Sequence, residues 1–268
     1  MIAKKNKIKN DSTVMPVLFV GHGSPMNAIE DTEFSRGWRG ISGELPKPES
    51  ILCVSAHWET NGTRVTSTAY PETIHDFGGF PRELYEVVYP APGSQELAKY
   101  TENTVRKTKI EPDDKWGLDH GAWSVLRHMY PDADIPVIQL SLDYTKDPAY
   151  HYDLAKELSS LRRRGVLIAG SGNIVHNLRM IDWKNKEAGY DWAKEANLKL
   201  KNLMLDGDHK SLIEYEKLGR EVGLSVPTPE HYLPLLYVLA LKEEKESISF
   251  FNDKTVMGSI SMTSLLIK

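Results

Sequence analysis

One cysteine, Cys53, in a chain of 268 residues leaves no internal disulfide to expect. It sits in the apolar run Ile51-Leu52-Cys53-Val54-Ser55-Ala56 and reads as a small buried hydrophobe. No apolar stretch approaches the ~20 residues that cross a bilayer, so no membrane partner is expected. Positive charge is not in surplus either. The formal net charge is -4, with Lys and Arg interspersed among acids, which argues against a nucleic-acid partner. Residues 1–10 are basic but lack the apolar core of a secretory signal, and residues 1–13 read as a flexible basic tail. A reducing cytoplasm is the expected compartment. Catalytic signatures with local spacing are missing as well: there is no Walker A run, no G-x-S-x-G elbow, no H-E-x-x-H and no paired cysteines. Gly170-Ser171-Gly172-Asn173 has Val175 where a dinucleotide loop needs its third glycine. Repeats and linkers are absent too, so residues 14–268 are expected to form one domain.

What the chain does contain is an alternation of short apolar runs with amphipathic stretches. Strands are expected over residues 15–20, up to His57, over 63–68, 136–141 and 165–170, and at the end over 247–251 and 259–267. Helices are expected over residues 34–41, from a Ser94 cap to 107, over 122–129, 147–161 and parts of 190–219, and after a Thr228 cap with Pro229 in the first helical position. This order predicts an α/β fold, a single domain with a central mixed, largely parallel sheet flanked by helices. Residues 70–94 are rich in Pro, Gly and aromatics. They predict a shaped loop that walls a pocket around Phe77 to Phe80 and Tyr89 to Pro92, or that only packs on the sheet.

Nine histidines are present, and five of them fall at expected element ends or in Gly-rich turns: His22, His57, His120, His176 and His231. His22 stands between Gly21 and Gly23 after an apolar strand, and His57 ends a second such run. Rings delivered at strand ends gather on one edge of a parallel sheet, where open α/β proteins build their sites. Imidazole serves both as ligand to Zn or Fe and as acid/base near neutral pH, and three or four such rings from separate elements make a common mononuclear site. His128, His151 and His209 read as packing or surface residues, and His75 is left open.

Seven blocks share the order of a known family: Gly21-His22-Gly23-Ser24-Pro25, Ser55-Ala56-His57-Trp58, His75-Asp76-Phe77-Gly78-Gly79-Phe80, Tyr89-Pro90-Ala91-Pro92-Gly93, Gly117-Leu118-Asp119-His120-Gly121, Ser171-Gly172-Asn173 with His176-Asn177, and Thr228-Pro229-Glu230-His231. From about Met15 onward the chain resembles the class III extradiol ring-cleaving dioxygenases, within them the 4,5-DOPA dioxygenase extradiol subgroup. The resemblance implies an α/β fold with one divalent metal ion per chain at one end of a mixed sheet. It implies His22, His57 and His231 as ligands, His176 as acid/base or further ligand, and His120 as a group that hydrogen-bonds substrate or dioxygen. The expected partners are a small aromatic diol and O2, and the expected product is a muconic semialdehyde. His231 stands where the wider superfamily has a carboxylate, with Glu230 next to it. A third neutral ligand makes the site more positive by one charge, so Zn(II) suits it as bound metal even though ring cleavage calls for Fe(II). Two other classes use the same residues: a Zn-dependent hydrolase, and a non-catalytic binding protein of the Memo kind.

Overall fold

A computed structural model describes residues 14–268, and the basic tail expected over residues 1–13 lies outside the described residues. Strand β1 (Val17–Gly21) is apolar at every position because both its faces are covered. Val17 and Phe19 enter one core layer, and Leu18 and Val20 enter the other. The chain continues through α1 (Glu33–Glu44), β2 (Ser50–Thr60), β3 (Thr63–Thr66), α2 (Arg82–Tyr85), α3 (Gln95–Thr104), β4 (Ile110–Asp113) and α4 (His120–Met129). Next come β5 (Val137–Asp143), α5 (Pro148–Glu157), α6 (Ser159–Arg162) and β6 (Val166–Gly172). Helices α7 (Asp191–Asp206), α8 (His209–Ile213), α9 (Arg220–Ser225) and α10 (Leu233–Ala240) precede β7 (Ile248–Phe251), β8 (Thr255–Val256), β9 (Ile260–Ser261) and β10 (Ser264–Ile267).

Eight strands form one sheet in the order β4-β3-β5-β2-β6-β1-β10-β7. Its centre, β5-β2-β6-β1, is parallel, and the β3–β5, β1–β10 and β10–β7 pairings are antiparallel. The expected mixed, largely parallel α/β sheet is therefore what forms. Leu154 of α5 and Leu235, Leu236 and Leu239 of α10 fill the core on one face, and Trp38 of α1 and Trp123 of α4 fill the other. Each of these side chains contributes about 1.5–3 kcal/mol through burial. The helix starts follow their caps: Ser94 Oγ accepts from Leu97 N at 3.1 Å, and Asp147 Oδ1 accepts from Tyr150 N at 2.8 Å with Pro148 behind it.

Several boundaries differ from the sequence pattern. Strand β2 does not stop at His57 but runs on to Thr60, because its register against β5 shifts between Val54 and Glu59. His57 sits in that bulge, a device that re-aims a side chain without ending the strand. The last helix starts at Leu233, four residues later than Pro229, and the proline in its first turn is Pro234. Residues Pro229 to Tyr232 close a turn instead, with Tyr232 N and Leu233 N both donating to the Pro229 carbonyl. Thr228 does not cap; its hydroxyl donates to Glu230 Oε1 at 2.9 Å. Residues 259–267 split into β9 and β10. The turn between them sits in a buried polar cluster, where Ser261 and Thr263 donate to Asn197 Oδ1 at 2.6 and 2.9 Å. Strand β4, Ile110-Glu111-Pro112-Asp113, escapes the pattern because it is a polar edge strand with a proline.

Adjacent strands β2, β6 and β1 bring His57, the segment carrying His176, and His22 to one edge of the sheet. Gly172 at the end of β6 lets His231 join them. A Cβ there would lie 2.1 Å from the His231 carbonyl oxygen, so only glycine admits this backbone approach.

His151, a packing residue as expected, is fully buried where α5 meets α10 and β5. Its Nε2–H donates to the Asp143 carbonyl at 3.2 Å and its Nδ1 accepts from the Tyr237 hydroxyl at 3.0 Å. Burial is the main cause that lowers its pKa from 6.5 to about 4. Because the folded value lies below the unfolded one, this contribution is complete above pH 6.5 and is lost as pH falls through about 4. In metal-free protein, urea unfolding of His151→Gln should therefore lose about 3 kcal/mol less than wild type across that window. Parallel stability profiles for the two proteins would contradict this.

Candidate metal centre

His22 leaves β1 through a turn that needs Gly23 in the left-handed region, at φ 61°. Its Nδ1 lies 3.0 Å from Ser171 Oγ, and that hydroxyl spends its own hydrogen on the Gly121 carbonyl at 2.6 Å. Ser171 must then accept, so Nδ1 of His22 carries the proton and Nε2 carries the lone pair. His57 has its Nδ1 at 3.3 Å from Asp76 Oδ2, and the charge of that carboxylate favours the proton on Nδ1 and the lone pair on Nε2. The two Nε2 atoms face each other at 3.1 Å. Two acceptors at that separation repel, and a cation between them removes the repulsion. Both can reach one ion at the usual Zn–N or Fe–N length of about 2.0–2.2 Å.

The remaining rings close around this pair. His231 lies 5.0 Å from His57 and 5.4 Å from His22 between ring centroids, and its Nδ1 is 3.2 Å from Glu230 Oε1. His176 stacks on His231 at 3.5 Å with the rings 10° from parallel. Its backbone is held by an N–H donated to the Ser225 carbonyl at 2.8 Å and by a bridge to Ile260. His120 opens α4, where Asp119 caps, and stands 3.9 Å from His57. Its Nδ1 and backbone N–H both donate to Asp76, each at 2.9 Å. His22, His57 and His120 each offer a nitrogen within 4.8 Å of the others, and His176, Glu230 and His231 form a second such group.

The five histidines singled out from the sequence thus come together, and the others do not. His75 Nε2 is 3.0 Å from the Val87 carbonyl, His128 Nε2 is 2.8 Å from the Asn27 carbonyl, and His209 bonds Tyr152 at 2.6 Å. The grouping differs from the expected one in two respects: His120, assigned to substrate or dioxygen, stands with His22 and His57, and His231, expected as their fellow ligand, groups with His176 and Glu230.

Burial keeps His22, His57, His176 and His231 uncharged. Desolvation, reinforced by the neighbouring histidines, holds His22 and His231 well below the usual imidazole range. The same causes lower His57 to about 3 and His176 to about 4. Neutral imidazoles are the metal-binding form, so a cation displaces no proton from them near neutral pH. Asp76 stays ionised: burial opposes its charge, but the hydrogen bond from His120 and the nearby imidazoles hold its carboxyl below the usual range.

A cavity of about 390 Å³ opens over the rings. Phe77, Phe80, Leu178, Ile181, Trp183 and Ile260 give it apolar walls. The 70–94 loop therefore divides. Phe77 and Phe80 face the cavity, whereas Tyr89 is buried and donates its hydroxyl to the Tyr130 carbonyl at 3.0 Å, serving only to pack the loop. Sequence reasoning did not single out Asp76, which lies against two of the five rings, because those rings, at positions 57 and 120, are far from it in the chain. It also passed over Met257 and Ile260: β8 is not expected from the sequence, and β9 is merged with β10 in the strand expected over 259–267.

Comparison with known proteins agrees with this geometry. Residues 16–262 match the family described as the catalytic LigB subunit of aromatic ring-opening dioxygenase. The chain is 48% identical over 261 residues to a 4,5-DOPA dioxygenase extradiol from Escherichia coli (strain K12), covering 96% of each. It is 35% identical over 262 residues to a 4,5-DOPA dioxygenase extradiol from Beta vulgaris, covering 95% of this chain and 97% of that one. A crystal structure of an uncharacterized protein from Escherichia coli K12 aligns with a TM-score of 0.82 at 42% identity, covering 95% of this chain and 100% of that chain. With a matched region that spans almost the whole sheet and all five clustered histidines, this chain belongs to the LigB family of aromatic ring-opening dioxygenases.

Proposed function

We propose that this enzyme is an extradiol dioxygenase that opens a catechol-type ring beside its diol with O2 to give a muconic semialdehyde, and that residues 14–268 act as one catalytic domain. The observation that carries this reading is the pair of bared Nε2 atoms, on His22 and His57, 3.1 Å apart beneath an apolar cavity wide enough for an aromatic ring. The relatives' substrate, DOPA, is a catechol, and a catechol is the substrate class assigned here.

His22, His57 and His231 would hold one divalent ion. Fe(II) bound there supplies the electron exchange between diol and dioxygen that redox-inert Zn(II) lacks. His176 is neutral at working pH, so one of its ring nitrogens accepts the proton that the catechol hydroxyl must lose, and later returns it. Its stack against His231 fixes the ring's plane and limits that exchange to the cavity side. His120 has its Nδ1 proton committed to Asp76, which leaves Nε2 as an acceptor for a hydroxyl of the bound diol. Phe77, Phe80 and Ile260 sandwich the ring and keep bulk water from the proton transfers.

Anaerobic loading with Fe(II) should give catechol-dependent oxygen uptake at an oxygen electrode, and loading with Zn(II) should give none. Ester or amide turnover under Zn(II) without oxygen uptake would overturn the reading in favour of a hydrolase. His176→Ala should lose about 10²–10⁴-fold in kcat while retaining its metal, whereas His22→Ala should fail to retain metal by elemental analysis. Turnover left intact in metal-replete His176→Ala would remove that residue from the chemistry. Asp76→Ala frees the rings of His57 and His120 together, and competitive chelator titration should show metal affinity about 10–100-fold weaker. Unchanged affinity would mean that the bulge and the cap orient these rings without it.

A further inference from the structure

Asp119 is fully buried one residue before His120, and nothing in the proposed chemistry uses it. Its carboxylate is met by donors: Ser55 Oγ and Gln139 Nε2 each donate at 2.6 Å, and Ala122 N donates at 3.2 Å as α4 begins. The Gln139 amide is fixed in that sense, because its Oε1 already accepts from Asp119 N at 3.0 Å. Every one of these contacts favours the ionised group. Capping α4 does not require a charge here, since Asn and Ser cap as well as Asp.

Among the described residues no Lys or Arg acts on Asp119, and burial together with the neighbouring Asp76 pushes its carboxyl above the usual range. A buried anion set near another anion is costly unless a cation answers both. The place for that cation is next door. A Cβ on Gly121 would stand 3.2 Å from Asp119 Oδ1, 3.0 Å from Cδ2 of His57 and 2.5 Å from Ser55 Oγ, so the carboxylate and the ring with the bared Nε2 flank a space too small for a methyl group. Ser55 also accepts from His57 N at 3.3 Å, and it stands opposite Ser171, the partner of His22, in the β2–β6 pairing. Three imidazole ligands bring no charge of their own. A divalent ion among them leaves two positive charges to offset, and two buried carboxylates, Asp76 and Asp119, lie around the rings.

We propose that Asp119 is a positioning residue of the metal site: with Asp76, it is the buried countercharge of a divalent ion held by the neutral rings of His22, His57 and His231. The assignment rests on the ligand set proposed above and is independent of which diol is opened. Asp119 does not wall the cavity, so it acts on the ion and not on the substrate. Fe(III) gains more from a nearby anion than Fe(II) does, so Asp119 also holds down the potential of bound iron.

Asp119→Asn and Asp119→Ser remove the charge and keep a capping residue, whereas Ser55→Ala disturbs the same hydrogen bonds with the charge in place. Competitive chelator titration with Zn(II) should show binding about 10–100-fold weaker in both Asp119 variants. In spectroelectrochemistry of the iron-loaded proteins, both should hold Fe(III) about tenfold less well relative to Fe(II) than wild type does, which raises the potential by about 59 mV. Ser55→Ala should keep the wild-type potential. An unmoved potential in the Asp119 variants, or an equal rise in Ser55→Ala, would overturn the assignment. So would metal-free Asp119 variants that are both unfolded by circular dichroism, since the carboxylate would then be a structural cap. If wild type itself retains no metal, the ligand set fails; if it retains metal while the variants' potential stays fixed, only the role of Asp119 fails.

Discussion

Two lone pairs pointed at each other, on Nε2 of His22 and Nε2 of His57, are the constraint on which the rest of this structure depends. Each ring is turned that way at its far nitrogen, by a hydrogen bond to Ser171 in one case and by the Asp76 carboxylate 3.3 Å away in the other. Such an arrangement is unfavourable without a positive charge to share. Burial removes the easiest source of that charge, protonation of the rings, and so reserves the position for a metal ion. The fold has to be stiff enough to hold the repulsion in waiting. The parallel strands β1, β6 and β2, covered on both faces by helices, provide that stiffness at the backbone from which the two rings project.

The same economy of partners runs outward. Ser171 ties His22 to the first turn of α4 through Gly121, and Asp76 ties His120 in that turn to His57 on the β2 bulge. A single carboxylate oxygen serves both of the latter rings, so their orientations are not independent. Gly172 brings His231 against β6, and the stack of His176 on His231 completes the ring of imidazoles. Each of these links joins segments far apart in the chain, so the site exists only once the sheet has assembled. Over it opens the apolar chamber walled by Phe77, Phe80 and Ile260.

Much of this arrangement is legible in the sequence. The alternation of apolar runs with amphipathic stretches predicts the α/β sheet, and histidines after Val17–Val20 and after Ile51–Ala56 predict an edge where rings gather, because a parallel sheet aligns its strand ends. The resemblance carried by short blocks such as Gly21-His22-Gly23-Ser24-Pro25 is borne out by membership of the family. What stayed hidden depends on long-range pairing. A bulge in β2 is defined only by the register of β5. The turn at Pro229 to Tyr232 looked like a helix start because Thr-Pro is a good one, but Thr228 spends its hydroxyl on Glu230 and a tertiary bond from Asn173 N takes the His231 carbonyl. Asp76 had no local signal at all, since its two partners lie at positions 57 and 120.

The most direct test is the position of the ion itself, read by anomalous diffraction from crystals of the Fe(II)-loaded protein. The account predicts one iron within about 2.0–2.2 Å of Nε2 of both His22 and His57, with His231 completing the set. Iron bound through Nδ1 of either ring, or seated away from the pair, would contradict it.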